Sequence, residues 1–327
     1  MEFELNETQR LFQRSARELF AHECPLTLVR EMIEKNEPYS DVVWNKLVEQ
    51  GWTGLIFGEE DGGLGLGMVE MAVAFEEMGR ALVPGAFLST VALAGSLIEK
   101  VCSPEYRSSR LQAICEGRSK ATVALLEESA SWDPDAVSLA AVAVDGGFKL
   151  NGKKLFVSDA SVSDWIITVA RAGSNLLLAF VDTKSPGVSV KAMPGMDASR
   201  SLSAVEFNDV IVNAFDVITD GAKARAALEH ALNVATLALS AEMVGGMEWL
   251  LEASVEYAKT RKQFGKPIGQ FQAVQHHCAN MLLMTESARS AVYYAAWMMG
   301  NSPEEATLAG SMAKTYASDG YREVGNL

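Results

Sequence analysis

Glu256-Tyr257-Ala258-Lys259-Thr260-Arg261-Lys262-Gln263-Phe264-Gly265-Lys266-Pro267-Ile268-Gly269-Gln270-Phe271-Gln272-Ala273-Val274-Gln275 is the stretch on which the reading of this chain turns. A helix carrying Val255 and Tyr257 runs into a basic turn at Arg261 and Lys262, breaks at Gly265 and Pro267, and yields to a second helix near Gln270. Arginine, phenylalanine and glutamine are displayed around a helix–helix junction. A guanidinium there can pair bidentately with a phosphate or carboxylate. A solvated basic turn fits the same residues.

Outward from this junction, the helical period continues in both directions. Residues 222–260 predict one or two long helices, with Gly245-Gly246 allowing close packing or a bend. Residues 270–299 follow, with Phe271, Val274, Cys278, Met281, Leu282, Ala288, Val292 and Ala295 as an apolar stripe, and methionines read as core filler. A third helix is expected after Ser302-Pro303, Ser as cap and Pro as first residue. His276 and His277 are adjacent, so they point about 100° apart and cannot share a metal on one helix face; they read as packing or surface residues.

Residues 120–220 change period. Short β-rich runs at 121–126, 137–144, 148–150, 153–157, 164–170, 176–181, 188–192 and 205–212 alternate with turn signals, including Asn151-Gly152 as a hairpin turn. With no long helix between them for parallel crossovers, they predict an antiparallel barrel or sandwich. Residues 1–119 are helical again. Asn6 and Gln9 form a capping-box pattern ahead of the face Leu11, Phe12, Ala16, Leu19 and Phe20. Helices are expected at 42–50, 68–81, 92–100 and 107–116. The glycine run from Gly62 to Gly67 reads as a flexible connection, because no strand precedes it and no Lys-Ser/Thr follows. The expected fold is α+β: an N-terminal all-α domain (1–119), a central antiparallel β-barrel (120–220) and a C-terminal α-helical bundle (221–327).

Composition sets the outer bounds. The 327 residues are 49% hydrophobic and 21% charged, an ordinary globular balance. A net charge of −14 argues against nucleic-acid binding while leaving room for a small phosphorylated ligand. Cys24, Cys102, Cys115 and Cys278 lie far apart without a CxxC pair, which argues for buried free thiols over zinc or disulfides. The acidic, amphipathic N-terminus is unlike a signal peptide, and no uninterrupted apolar run reaches the roughly 20 residues of a membrane helix. Cytoplasm, without a membrane span, is the plain expectation.

The run Tyr257-Ala258-x-x-Arg261-x-Gln263-Phe264-Gly265-x-Pro267-Ile268-x-x-Phe271-Gln272 resembles the flavin-linked acyl-CoA dehydrogenase family. The likeness covers nearly the whole chain in the family's order of parts, and Glu59–Gly67 is similar to a family loop near the substrate cleft. It implies FAD as cofactor, with Arg261 on the pyrophosphate of an FAD held mainly by a neighbouring subunit, Phe264 near the adenosine and Gln272 bonding nearby. A homo-oligomer, or a heteromer with a related dehydrogenase subunit, follows.

Two further segments carry the likeness. Leu150-Asn151-Gly152-Lys153-Lys154-Leu155-Phe156-Val157-Ser158 is similar to the family's Asn-Gly-x-Lys-x-Trp-Ile-Thr, whose aromatic covers the isoalloxazine and whose hydroxyl meets the ring near N5. Phe156 replaces the tryptophan and Ser158 the threonine; strand alternation puts both on one face. Residues 126–133 stand where the family has Thr-Glu-Pro-Gly-x-Gly-Ser-Asp, which contacts the flavin pyrimidine and CoA. Leu126, Glu128 and Trp132 replace the threonine, proline and serine, so backbone contacts can survive there and side-chain contacts cannot.

The resemblance implies oxidation of an acyl-CoA to a 2-enoyl-CoA, with electrons passed to an electron-transfer flavoprotein. It also requires a carboxylate base over the α-carbon. The family's usual glutamate follows the final bundle helix, inside which this chain stops at Gly325-Asn326-Leu327; the earlier-helix position used by some members holds Ala235, and Glu242 is misplaced. No catalytic residue is assigned. The expectation is an incomplete copy of a catalytic dehydrogenase. The alternatives are a partner subunit that completes another chain's FAD site, and an acyl-CoA oxidase.

Overall fold

The computed structural model describes residues 4–37 and 39–327. In chain order these form α1 (Glu7–Glu23), α2 (Leu26–Lys35), α3 (Asp41–Glu49), α4 (Met68–Ala81), a π-helical segment Leu88–Gly95, α5 (Ser96–Val101) and α6 (Pro104–Cys115). Strands β1 (Ala121–Ala124), β2 (Ala140–Val144), β3 (Gly147–Ser158), β4 (Trp165–Ala172), β5 (Asn175–Asp182), β6 (Val188–Met193), β7 (Leu202–Asn213) and β8 (Val217–Ile218) follow. Then come α7 (Gly221–Thr260), the small pair β9 (Lys262–Gln263) and β10 (Lys266–Pro267), α8 (Gln272–Asn301) and α9 (Ala306–Asn326). The expected order of helices, strands and helices is present.

The chain divides into two compact units, residues 1–29, 66–83 and 236–327 in one and residues 30–65 and 84–235 in the other. The first is a helical bundle. Asn6 and Gln9 form the expected capping box, with Gln9 N–H donating to Asn6 Oδ1 at 2.9 Å. Ala16 and Phe20 are buried, whereas Leu11 is 60% exposed and leaves the expected face. The bundle is tight where α4 meets α7. A Cβ on Gly245 would stand 1.8 Å from the Glu76 carbonyl oxygen, so only glycine permits that approach. Gly245-Gly246 thus serves packing, and α7 runs unbroken through it. α7 is apolar enough along part of its length to pass for a membrane helix, but 56% of that window is buried inside the protein.

Two helix starts depart from expectation. Ser302 closes α8, its N–H donating to the Met298 carbonyl at 2.8 Å, and α9 begins only at Ala306 behind a turn. The segment expected to be helical from 92 begins at Leu88 with π geometry, and Gly95 lies against the Phe57 ring.

The second unit is built on an eight-stranded, mostly antiparallel sheet in the order β6-β7-β3-β2-β4-β5-β8, with β1 pairing β4. Leu150, Val157, Ile166, Leu177, Val205, Phe207 and Val210 are among the side chains of its core. The β1–β4 pairing is parallel, against the purely antiparallel expectation; the β2–β3 hairpin, rather than a helix, spans the gap between them. Asn151-Gly152 is not a hairpin turn. β3 runs through it as a bulge opposite β7, stabilised by Asn151 Nδ2–H donating to Asp209 Oδ1 at 3.0 Å and Asp209 N–H donating to Asn151 Oδ1 at 2.8 Å. The Gly62–Gly67 run is tied down rather than loose: Leu64 N–H donates to the Gly54 carbonyl and Gly65 N–H to that of Phe57.

Candidate functional site

In the sheet unit, the candidate residues gather where β3 is irregular. The register with β7 slips between Lys154 and Val157, and Phe156 adopts φ +54°, a left-handed backbone that a phenylalanine takes only under constraint. Val157 turns into the core, while the Phe156 ring stays 41% exposed and its N–H donates to Met193 Sδ at 3.4 Å. Ser158, half-buried, pairs with Leu202 across the sheet. Phe156 and Ser158 therefore both lie off the core side, with a bulge between Lys154 and Val157 rather than plain alternation on the way. Just beyond Ser158, Asp159 is buried and accepts from Ser89 Oγ at 2.7 Å.

Leu126 lies against this stretch. Leu155 N–H donates to the Leu126 carbonyl at 2.9 Å, and Lys154 Nζ donates to the Leu125 carbonyl at 2.9 Å. Lys154 is fully buried and also donates to Glu127 Oε1 at 2.7 Å. Glu127 accepts further from Ser138 N–H and Leu139 N–H, each at 2.9 Å. Burial alone would raise this carboxyl; the Lys154, Ser138 and Leu139 donors outweigh it and hold it at about 2. Burial pulls Lys154 down to about 8 against the pull of Glu127. Their 2.7 Å contact is an ion pair.

The pair was not among the residues the sequence singled out. Its signal was that, within the two segments similar to the family's motifs, Lys154 and Glu127 keep the motif lysine and glutamate while Leu126, Glu128 and Trp132 depart from theirs. Trp132, on the same loop as Leu126, is 64% exposed.

In the helical unit the opening motif is a turn built from β9 and β10. Gln263 faces Lys266 and Lys262 faces Pro267, while Phe264 and Gly265 at the tip have φ +52° and +80°, the two positive values of a type I′ turn. Ile268 N–H donates to the Arg261 carbonyl at 2.8 Å and fastens the base of the turn. Phe264 is 92% exposed and meets Phe271 edge-on at 6.1 Å. Lys266 Nζ lies 4.4 Å from the Phe271 ring centre. Arg261 is exposed and its guanidinium has no ion-pair partner among the described residues; Gln272 is the exposed first residue of α8. His276 and His277 are exposed on the same helix, and Ala235 on α7 is buried.

These groups fit FAD on their own chemistry. An aromatic ring left open on a bulged strand, with a hydroxyl two residues on, suits one face and the edge of an isoalloxazine. An unpaired guanidinium beside exposed aromatic rings suits a pyrophosphate joined to an adenosine.

Family models match almost end to end: the acyl-CoA dehydrogenase N-terminal domain over residues 6–118, the middle domain over 122–210 and the C-terminal domain over 224–327. The caffeyl-CoA reductase-Etf complex subunit CarC of Acetobacterium woodii is 29% identical, over 98% of this chain and 86% of its own. The butyryl-CoA dehydrogenase of Megasphaera elsdenii superposes with a TM-score of 0.92 at 25% identity, covering 100% of this chain and 88% of that one. An FAD complex of PigA does so with a TM-score of 0.92 at 25% identity, covering 100% and 87%. The chain belongs to the acyl-CoA dehydrogenase family and is an FAD-dependent oxidoreductase.

Proposed function

We propose that the protein catalyses α,β-dehydrogenation of an acyl-CoA thioester to a 2-enoyl-CoA and passes the electrons to an electron-transfer flavoprotein. The observation that carries this reading is the open Phe156 ring on the β3 bulge, with Ser158 beside it and the Leu126 backbone bound to the same strand. When bound, FAD supplies the two-electron acceptor for the hydride that leaves the β-carbon. Phe156 would cover one face of its ring and keep water from it, Ser158 would hydrogen-bond the ring edge, and the Leu126 backbone would meet the pyrimidine side. On the FAD held mainly by a neighbouring subunit, Arg261 would neutralise the pyrophosphate, Phe264 would pack near the adenosine, and Gln272 would hydrogen-bond nearby.

In this reading one FAD is shared by two chains, giving a homo-oligomer or a heteromer with a related subunit. The exposed Phe264 and Tyr257 support a partner for this unit, as does an open groove of about 540 Å³ whose apolar lining, Leu251, Val255, Cys278 and Leu282, is flanked by Glu252, Glu256 and Lys259. A relative whose name places it in a complex with Etf supports the electron carrier. The α-proton requires a carboxylate, and the methyl group of Ala235 cannot accept it.

That alanine, with the substitutions at Leu126, Glu128 and Trp132, favours a second reading: a subunit that completes a partner's FAD site. Anaerobic addition of saturated acyl-CoA thioesters to the purified flavoprotein separates the two. Bleaching of the flavin supports dehydrogenation. A yellow protein that no thioester bleaches supports the partner-subunit reading. Rapid recolouring in air after bleaching identifies an oxidase.

A further inference from the structure

We infer that Lys154 and Glu127 are positioning residues for the flavin, a buried ion pair that fixes the Leu125–Glu127 backbone on β3 so that Leu126 can meet the ring. The inference rests on the reading that this stretch borders the isoalloxazine.

The argument starts from what the loop lacks. With leucine at 126, no side chain there can hydrogen-bond a polar ring edge, so only backbone groups can do so, and only if their place is fixed. Two adjacent carbonyls are held by adjacent residues of β3: that of Leu125 by Lys154 Nζ at 2.9 Å and that of Leu126 by Leu155 N–H at 2.9 Å. An ammonium with 0% exposure is costly unless satisfied, and Lys154 is satisfied by that carbonyl and by Glu127 Oε1 at 2.7 Å. Glu127 in turn holds Ser138 N–H and Leu139 N–H at 2.9 Å, closing the far end of the 127–139 loop onto the same carboxylate. Lys154 and Leu155 sit immediately before Phe156, so the pin and the exposed ring share one bulge of β3. A shift of the pin therefore displaces the Leu126 backbone and disturbs the strand that carries Phe156.

The test uses FAD titration of the apoprotein, the visible absorption and circular dichroism of the bound flavin, and the unfolding midpoint. The variants are Lys154→Met, the double variant Lys154→Met with Glu127→Gln, and Phe156→Ala. Lys154→Met is expected to weaken FAD binding by about tenfold or more and to shift the flavin bands. The double variant removes the unpaired carboxylate, so it should regain the unfolding midpoint while its flavin bands stay shifted. Recovery of both readouts in the double variant would reduce the pair to a structural role and overturn the inference. So would unchanged binding and bands in Lys154→Met.

Should neither lysine variant fold, Glu127→Gln, which keeps an acceptor for Lys154 and Leu139 but removes the charge and sets an amide donor against Ser138 N–H so that the loop is released, carries the same readouts. It is expected to shift the bands, and unshifted bands overturn the inference. Phe156→Ala tests the underlying reading. Altered bands there alone would leave the flavin on β3 and reject the pin, whereas unaltered bands would reject the flavin assignment itself.

Discussion

Two groups of charges in the helical unit have opposite surroundings. Around α4, Glu76 and Glu77 keep about 1% of their side-chain surface, and each carboxylate is matched: Arg289 Nε–H donates to Glu76 at 2.9 Å, and Arg17 grips Glu77 with two hydrogen bonds at 2.8 and 2.9 Å. Tyr293 donates to Glu76 at 2.8 Å, and Glu248 lies within 3.3 Å of both arginines. On the β9–β10 turn, Arg261 has no ionic partner among the described residues and Phe264 is 92% exposed. A charge taken out of water must be paired or the fold fails. An exposed cation and an exposed ring contribute little to folding, and they keep their binding capacity for something outside the chain. Perturbed charge alone therefore marks architecture as readily as it marks a site.

The contrast predicts a graded set of outcomes. Arg289→Ala leaves Glu76 buried without its cation and should cost about 3–5 kcal/mol in urea-induced unfolding; a loss below about 1 kcal/mol would show the cluster to be dispensable. The buried Lys154–Glu127 pair extends the paired class to the sheet unit. The folded pKa of Glu127, about 2, lies below its ordinary value of 4.5, so the unfolded chain takes up the proton first as pH falls. Its stabilisation is full above about pH 4.5 and is lost as pH approaches 2. Glu127→Gln should flatten that acid limb of the stability profile, and an unchanged limb would assign acid unfolding to other carboxylates. Tyr293→Phe removes one hydrogen bond to a buried carboxylate and should cost about 1.5–3 kcal/mol by thermal or urea unfolding. Phe264→Ala, on the unpaired side, should move stability by less than about 0.5 kcal/mol and weaken FAD binding only a few-fold, the scale of one aromatic contact.

The sequence was readable where the signal is local. Asn6 and Gln9 cap α1 as their spacing implies, and Phe264-Gly265 breaks the helices where a glycine beside a basic turn should. It misled where a distant partner decides. Asn151-Gly152 has hairpin chemistry, but Asp209, 58 residues away, captures the asparagine and makes a bulge instead. Lys154 stands at the lysine of a recognised motif, but its partners, Glu127 and the Leu125 carbonyl, lie 27 and 29 residues earlier and are not visible from the strand alone. Ser302-Pro303 offers a helix start, yet Ser302 is already used to close α8. Of the candidate site, the residue types around the turn were legible. The pairing that leaves Arg261 unmatched while burying Lys154 was not, because the burial and the partners of each depend on residues far away in the chain.

The most direct test compares FAD binding and unfolding for Arg261→Ala. Apoprotein carrying this substitution should unfold at the wild-type urea midpoint yet bind FAD about 10–100-fold more weakly, the scale of a lost charge-assisted hydrogen bond. Wild-type affinity in that variant, or a lowered midpoint in its place, would contradict the claim that the unpaired turn is a cofactor site.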